Sequence, residues 1–308
     1  MVLGGVIDFV VLLGKLLFLS VWEPIKWLLP KQRKDVSNEI VLITGGGMGM
    51  GRLMALEFAQ LKATVVIWDV NRDAMNGVVQ EIKDQGNSAV FSYVVDVSKN
   101  NQVYAAADKV RRDVGDVSIL VNNAGLVNAP NFLNVPDERI ELLMDVNATS
   151  HMWTLKAFLP AMLAKDHGHI TTIASSAGLI GVSGMLDYCA SKFGAVGLHE
   201  SVTMEIASLG KTGVKTTLVC PYFVKTGMFE GAASRIDWLI TQLTPEYASG
   251  RIVDAIRTNC KMLVMPRIIY AFIVLKAIIP TESALLISKY TGMASAMRKF
   301  VGRTGKAK

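Results

Sequence analysis

Between residues 39 and 265, short apolar runs rich in β-branched residues alternate with helix-patterned stretches. EIVLIT (39–44), ATVVIWD (63–69) and HITTIA (169–174) are of the first kind, and MGRLMALEFAQL (50–61) is of the second. This alternation predicts the order βαβαβαβαβαβαβ, an α/β chain with one parallel sheet and helices on both faces. The ends depart from the pattern. Residues 1–30 are almost continuously apolar, and a second apolar segment, Ile268 to Ile279, lies between Pro266 and Pro280. There is no internal repeat and no low-complexity linker. The predicted organisation is a hydrophobic anchor (1–30), a basic linker (31–37), a catalytic domain (38–265) and a hydrophobic C-terminal segment with a basic tail (266–308).

Residues 1–30 lack the basic start and small-residue cleavage pattern of a secretory signal, so they are expected to stay as a membrane-anchoring helix. On a helix, Asp8, Lys15 and Lys26 fall within about 20° of one another, and Glu23 lies about 60° away. A narrow polar stripe suits a helix lying in one leaflet, and the length also suffices to span a hydrocarbon core of about 30 Å. Both placements stand open. Lys26, Lys31, Arg33 and Lys34 follow the apolar stretch and none precedes it, which places the following domain in the cytosol. Ile268–Ile279 is too short to span and contains Lys276. It either dips into the membrane or packs on the domain as a C-terminal helix. The last ten residues, KFVGRTGKAK, form a basic tail suited to anionic lipid.

The chemistry is carried by DYCASKFG, where Tyr188 and Lys192 stand four residues apart and share a helix face. A free phenol has a pKa of about 10, and a fixed cation beside it favours the phenolate. Lys192 is the candidate cation. Ser175, at the end of HITTIAS, is placed to donate to the same substrate oxygen and to stabilise charge developing there. Base and donor on one oxygen point to alcohol and carbonyl redox chemistry.

The turn TGGGMGMG follows a strand and opens a helix. Gly45, Gly49 and Gly51 let the backbone approach a pyrophosphate, and the helix N-terminus offers N–H groups and a positive dipole end. Asp69 ends the run ATVVIWD eighteen residues after Gly51. A carboxylate there accepts hydrogen bonds from ribose hydroxyls and repels a 2′-phosphate, which favours NAD over NADP, although Arg72 is close in sequence. The bland alternative is that Asp69 caps the next helix.

TGGGMGMG, NNAG (122–125), Asn147, Ser175 and DYCASK together resemble the short-chain dehydrogenase/reductase superfamily over about residues 38–265. VGDVSILVNNAGLV, TLKAFLPAML, DYCASKFGAVGLHES and KTTLVCPYFVKTGMF are similar to its membrane-associated branch of retinol dehydrogenases and lipid-droplet 17β-hydroxysteroid dehydrogenases. The resemblance implies a Rossmann-type, doubly wound sheet in a single domain. It implies a tetrad of Asn147, Ser175, Tyr188 and Lys192, with Asn147 holding a water in a proton relay with Lys192 and Tyr188. It also implies a cofactor site made of Gly45, Gly49, Met50, Gly51, Asp69, Asp96, Asn123, Ala124, Gly125, Tyr188, Lys192, Pro221, Val224 and Thr226. Within that set Asp96 lies near the adenine and Thr226 meets the nicotinamide carboxamide, while Asn122 is structural. CPY stands where much of the superfamily has proline followed by glycine, a departure shared with retinol dehydrogenases and expected to alter only the pocket wall.

Three cysteines, Cys189, Cys220 and Cys260, are too few and too scattered for a disulfide framework or zinc site, and suit a reducing compartment. His151, His167, His169 and His199 lack metal-ligand spacing; they are read as structural or surface residues, and no metal is expected. The net charge of +6 comes without a basic stripe or interleaved aromatics, which excludes nucleic acid and leaves a membrane surface as the partner. The expected substrate is a lipophilic alcohol or carbonyl: retinol first, then steroid or long-chain alcohols. Met185, Phe229 and Trp238 are candidate pocket residues. The expected location is the endoplasmic reticulum membrane or a lipid-droplet monolayer, as a homo-oligomer. A reading from another class is a non-catalytic scaffold, against which the complete tetrad counts.

Overall fold

The computed structural model describes residues 2–26, 31–128, 131–232, 235–236, 240–298 and 300, and the chain forms two compact units, 1–34 and 35–308. The first unit is a helix, α1 (Val2–Lys26). None of its described side chains is buried, and Phe9, Val10, Leu17, Phe18 and Val21 are among its most exposed. Among the described residues, no helix is long and apolar enough to cross a membrane.

The second unit is built on seven parallel strands in the order β3-β2-β1-β4-β5-β6-β7. They are β1 (Ile40–Thr44), β2 (Thr64–Asp69), β3 (Val90–Val94), β4 (Ile119–Asn122), β5 (Gly168–Ile173), β6 (Val214–Pro221) and β7 (Met262–Met265). The crossovers are α2 (Gly49–Gln60), α3 (Arg72–Asp84), α4 (Asn100–Asp113), the pair α5 (Asp137–Met144) and α6 (Ser150–Lys165), α7 (Leu186–Ser208) and α8 (Pro245–Arg257). The alternation read from the sequence is therefore the observed order, because strands buried on both faces must be apolar throughout. Alternate residues of β1 serve opposite layers. Val41 and Ile43 pack with Phe58 of α2, Ile82 of α3 and Ile256 of α8, whereas Leu42 packs with Val110 of α4, Phe158 of α6 and Ile206 of α7. Each such fully buried side chain contributes about 1.5–3 kcal/mol relative to exposure. The strand order reverses between β1 and β4, so a crevice opens beyond their C-terminal ends, where ligands of such sheets bind.

One feature was not foreseen, and of the two readings left open for the second apolar segment the structure shows the packed helix. α5 runs into α6 through a π-helical turn, Asp145–Thr149, whose wider winding carries Asn147. The second apolar segment forms α9 (Ile269–Ile278), which packs on the domain through Ile269, Tyr270, Phe272 and Ile273. Its exposed Lys276 reaches back to the domain surface, with Nζ donating to the Leu179 carbonyl at 2.8 Å. The outer face of α9 leaves Val274 and Ile278 exposed, and α10 (Thr281–Thr291) adds exposed Leu285, Leu286 and Tyr290. Of the basic tail, only Phe300 is described.

Candidate active site

The glycine-rich turn sits between β1 and α2. Gly45 has φ of 63°, and a Cβ on Gly51 would stand 2.1 Å from the Gly45 carbonyl oxygen, so only glycine fits there. α2 starts without a side-chain cap, leaving its first-turn N–H groups directed at the crevice. Met50 lies in that first turn and packs partly against the core. Asn123 clips the turn in place: its amide donates to the carbonyls of Thr44 at 2.9 Å and Gly45 at 3.1 Å. The Thr44 hydroxyl takes the backbone N–H groups of Asn123 and Ala124. Asn123 thus shapes the cleft through the backbone instead of lining it with a free side chain.

Asp69 closes β2, with Oδ2 accepting from Gly47 N at 2.9 Å and Oδ1 from Asn71 N at 3.0 Å. The helix cap is not Asp69 but Asn71, whose side chain accepts from Ala74 N. Each Asp69 oxygen keeps a further lone pair for a ribose hydroxyl. Asp96 is held by Ser98, whose hydroxyl donates to it at 2.7 Å.

The tetrad residues converge from three elements. Lys192 is buried in α7, donates from Nζ to the Ile173 carbonyl at 2.9 Å and lies 5.7 Å from the centre of the Tyr188 ring. A Cβ on Gly125 would stand 3.4 Å from Asn147 Oδ1 and 3.7 Å from Lys192 Nζ, which places these three residues around one point. The carboxamide of Asn147 spans the gap between loop and helix: Oδ1 accepts from Leu126 N at 2.7 Å, and Nδ2 donates to Leu126 O and to Ser191 Oγ. Ser175 follows β5; its hydroxyl accepts from Ala177 N, donates to the Pro221 carbonyl at 3.4 Å and lies near enough to the Tyr188 phenol to favour its ionised form.

The expected depression of the Tyr188 pKa by Lys192 is not what the geometry gives. Burial pushes the phenol well above its ordinary value, and the nearby Ser175 hydroxyl opposes this only in part. Burial also lowers Lys192 to about 8. The sequence did not reveal the clamp that holds Tyr188. Buried Asp187 accepts from Tyr188 N at 2.8 Å and from Asn128 Nδ2 at 2.7 Å, tying the start of α7 to the loop after β4. Phe229 stands edge-on to the phenol, with ring centres 5.6 Å apart, and packs at a tilt of 59° against Phe223. Met185 is buried in the same cluster, and Trp238 lies outside the described residues. Val224 bridges to Leu243, and the Thr226 hydroxyl reaches only the Val224 carbonyl, at 3.5 Å. Among the described residues, no group of three His, Cys, Asp or Glu side chains could hold a metal.

Two buried histidines lie behind the tetrad, their pKa values lowered from 6.5 to about 3 at His151 and about 4 at His199, in both cases chiefly by burial. A depressed folded-state pKa makes their contribution to stability complete above the unfolded value near 6.5, and lost as pH falls through about 4 and then about 3. Unfolding free energies from urea titration are accordingly expected to drop as pH falls from about 6.5 to about 3, by on the order of 1 kcal/mol per pH unit for each histidine. His199→Gln is expected to flatten the slope, and an unchanged slope would contradict this account.

A short-chain dehydrogenase family model matches residues 39–237. The chain belongs to the short-chain dehydrogenase family. This short-chain dehydrogenase is 48% identical over 305 residues to epidermal retinol dehydrogenase 2 of Mus musculus, covering 99% of this chain and 98% of that protein. It is 42% identical to retinol dehydrogenase 10 of Homo sapiens, covering 98% and 96% of the two chains. Among solved structures, it is similar to a short-chain dehydrogenase/reductase from Burkholderia phymatum in complex with NAD, with a TM-score of 0.72 and 26% identity over 82% of this chain and 96% of that one. A metagenomic short-chain oxidoreductase in complex with NADP gives a TM-score of 0.62 at 26% identity over 75% and 97%.

Proposed function

We propose that this dehydrogenase is membrane-associated, uses NAD and oxidises a lipophilic alcohol, all-trans-retinol first, to its aldehyde. The observation that carries the reading is the buried Tyr188 phenol, with Ser175 and Lys192 near it and Phe229 edge-on to its ring. The near full-length relatives named as retinol dehydrogenases support the substrate class. The turn at Gly45–Gly51, the uncapped start of α2 and the Asp69 carboxylate fit a dinucleotide, with Gly49, Met50, Asp96, Ala124, Gly125, Pro221, Val224 and Thr226 around it. When bound, the oxidised nicotinamide supplies the hydride acceptor. Tyr188, as phenolate, takes the hydroxyl proton, while Ser175 donates to the same oxygen and orients it. Lys192 steadies the phenolate, and Asn147 fixes the loop and helix that carry the site. Phe223 and Phe229 exclude water and favour an apolar substrate.

Apolar side chains exposed on α6 and α7, including Met152, Leu186, Phe193 and Met204, support a homo-oligomer. The exposed apolar residues of α1 support anchoring at a membrane or lipid-droplet surface with the second unit in the cytosol. Removal of residues 1–34 is expected to shift the protein from the membrane to the soluble fraction on flotation. Full retention would transfer the anchoring role to the outer faces of α9 and α10.

Asp69 supports NAD, since a 2′-phosphate would meet its charge. Asp69→Ser is expected to lower the KM for NADP relative to that for NAD by roughly ten- to a hundredfold, about 1.4–2.8 kcal/mol. An unchanged ratio would remove Asp69 from the selection. A panel of retinol, estradiol and long-chain alcohols tests the substrate. Turnover of estradiol alone keeps the mechanism and moves the substrate, whereas saturable NAD binding without turnover of any alcohol supports a scaffold.

A further inference from the structure

In α9, IYAFIVLKAI, the one charged residue is Lys276, in the last turn. Its ammonium is not simply turned to water. Nζ donates to the Leu179 carbonyl at 2.8 Å and stands 5.0 Å from the centre of the Phe193 ring. A charged donor strengthens the bond to the carbonyl, and the ring face adds a second attraction for the same charge. Leu179 belongs to the segment after β5, and Phe193 to α7, so one side chain ties α9 to two further parts of the domain. The first turn of α9 is pinned separately: the Tyr270 hydroxyl donates to Met262 O at 3.0 Å and accepts from Val264 N at 3.3 Å, on the edge of β7. The helix is thereby fixed at both ends.

Leu179 closes a 3-10 turn, Ser176–Gly178, that begins directly after Ser175. The start of that turn is held without α9. The Ser175 hydroxyl accepts from Ala177 N, and a Cβ on Gly178 would stand 2.5 Å from the Lys192 carbonyl oxygen, so the turn lies hard against α7. Beyond Leu179 the support thins. Gly181 and Ser183 are exposed, Val182 N has only the Cys189 sulfur, a weak acceptor, at 3.4 Å, and Met185 N reaches back to Val182 O at 3.3 Å. Yet Leu179, Val182 and Met185 pack in the apolar cluster that holds Tyr188 and Phe229. The stretch joining Ser175 to Tyr188 is thus an apolar wall of the site, and its outer end rests on Lys276.

We propose that Lys276 is a positioning residue for the substrate: its ammonium latches Leu179, so that Val182 and Met185 keep the apolar wall beside Tyr188 in place. Lys276 acts through Leu179 and touches neither the alcohol nor the dinucleotide. Because Ser175 has its own bonds, releasing the latch loosens the wall without moving the hydroxyl that works on the reacting oxygen. The loss falls on binding of the alcohol and spares both the chemical step and NAD. This role deepens the proposed oxidation of a lipophilic alcohol and rests on it, whereas the latch itself has a readout that needs no activity.

Full-length, membrane-bound parent, Lys276→Met, Lys276→Arg and Lys289→Met are assayed with NAD and retinol, estradiol or a long-chain alcohol at one vesicle composition, and amide hydrogen exchange is followed over residues 179–185. Methionine keeps the unbranched stem without the charge, and arginine keeps a cation that donates to a carbonyl and lies on a ring. Lys289, exposed on α10, controls for the loss of a surface charge. Lys276 is itself exposed, so its replacement leaves the core intact. For Lys276→Met the expected result is a KM for the alcohol raised roughly tenfold, with kcat within about twofold of the parent and the KM for NAD unchanged. Exchange at residues 179–182 speeds up by roughly tenfold beside it, as local opening becomes easier. Lys276→Arg and Lys289→Met stay near the parent in both readouts. An unchanged KM for the alcohol in Lys276→Met overturns the positioning role, as does an equal rise in Lys276→Arg or Lys289→Met. Unchanged exchange in Lys276→Met overturns the latch whatever the kinetics. A parent silent with every alcohol overturns the dehydrogenase reading and the substrate role of Lys276 with it, while faster exchange in Lys276→Met alone would still establish the latch.

Discussion

Tyr188→Phe is expected to lower kcat by roughly 10²–10⁴-fold, the range contributed by a positioned acid or base, while the protein stays folded and binds cofactor. The substitution removes one oxygen and keeps the ring that stands edge-on to Phe229. The nearby Ser175 hydroxyl keeps its own bonds, to the Pro221 carbonyl at 3.4 Å and from Ala177 N. Melting temperature and NAD affinity therefore stay close to the parent's, and the loss falls on the chemical step. A variant with a tenth or more of the parent's turnover would show that another group takes the proton. The buried Lys192, whose Nζ lies beside Asn147, would be the first to examine.

The second large effect is structural in origin. A Cβ on Gly51 would meet Gly45 O at 2.1 Å and Asn123 Nδ2 at 2.7 Å, and neither neighbour can yield, since Asn123 is itself the clip that holds the turn. Gly51→Ala is expected to cost about 1–3 kcal/mol in stability, as overpacking does. It also displaces the N–H groups at the start of α2, so NAD affinity falls by more than the stability loss alone would cause. Gly77, on the exposed side of α3, is the control: a Cβ there meets nothing within 4 Å. Gly77→Ala is expected to gain about 0.5–1 kcal/mol from helix propensity alone. Denaturant titration and cofactor binding on the pair distinguish a tight turn from a general sensitivity of glycine positions.

The parts of the site legible in the sequence are those whose chemistry fixes a local spacing. Tyr188 and Lys192 need one helix face, and the turn at Gly45–Gly51 needs glycines between a strand and a helix, so both stand out in a single chain. The sheet was legible because its strands, largely buried apart from the half-exposed edge strand β3, are short runs of β-branched and apolar residues. What escaped was set by partners distant in sequence. Asp187 reads as an ordinary first-turn acid until Asn128, 59 residues away, is seen to donate to it. The π turn at Asn147 follows from packing and carries no composition of its own. The upward shift of the Tyr188 pKa depends on burial under Phe229, which the four-residue spacing to Lys192 cannot disclose. Nor does the sequence show that His151, read with the other histidines as structural or surface, is buried with both ring nitrogens unpartnered within the protein. The C-terminal apolar segment resolved for a similar reason, since length and hydropathy did not show which face of α9 meets the domain.

The most direct test of the central claim is retinal formation by the full-length, membrane-bound protein supplied with all-trans-retinol and NAD, measured chromatographically together with NADH and beside Tyr188→Phe. The account predicts equimolar retinal and NADH from the parent and a loss of both in the variant. Equal rates in parent and variant, or bound NAD with no product from any lipid alcohol, would contradict it.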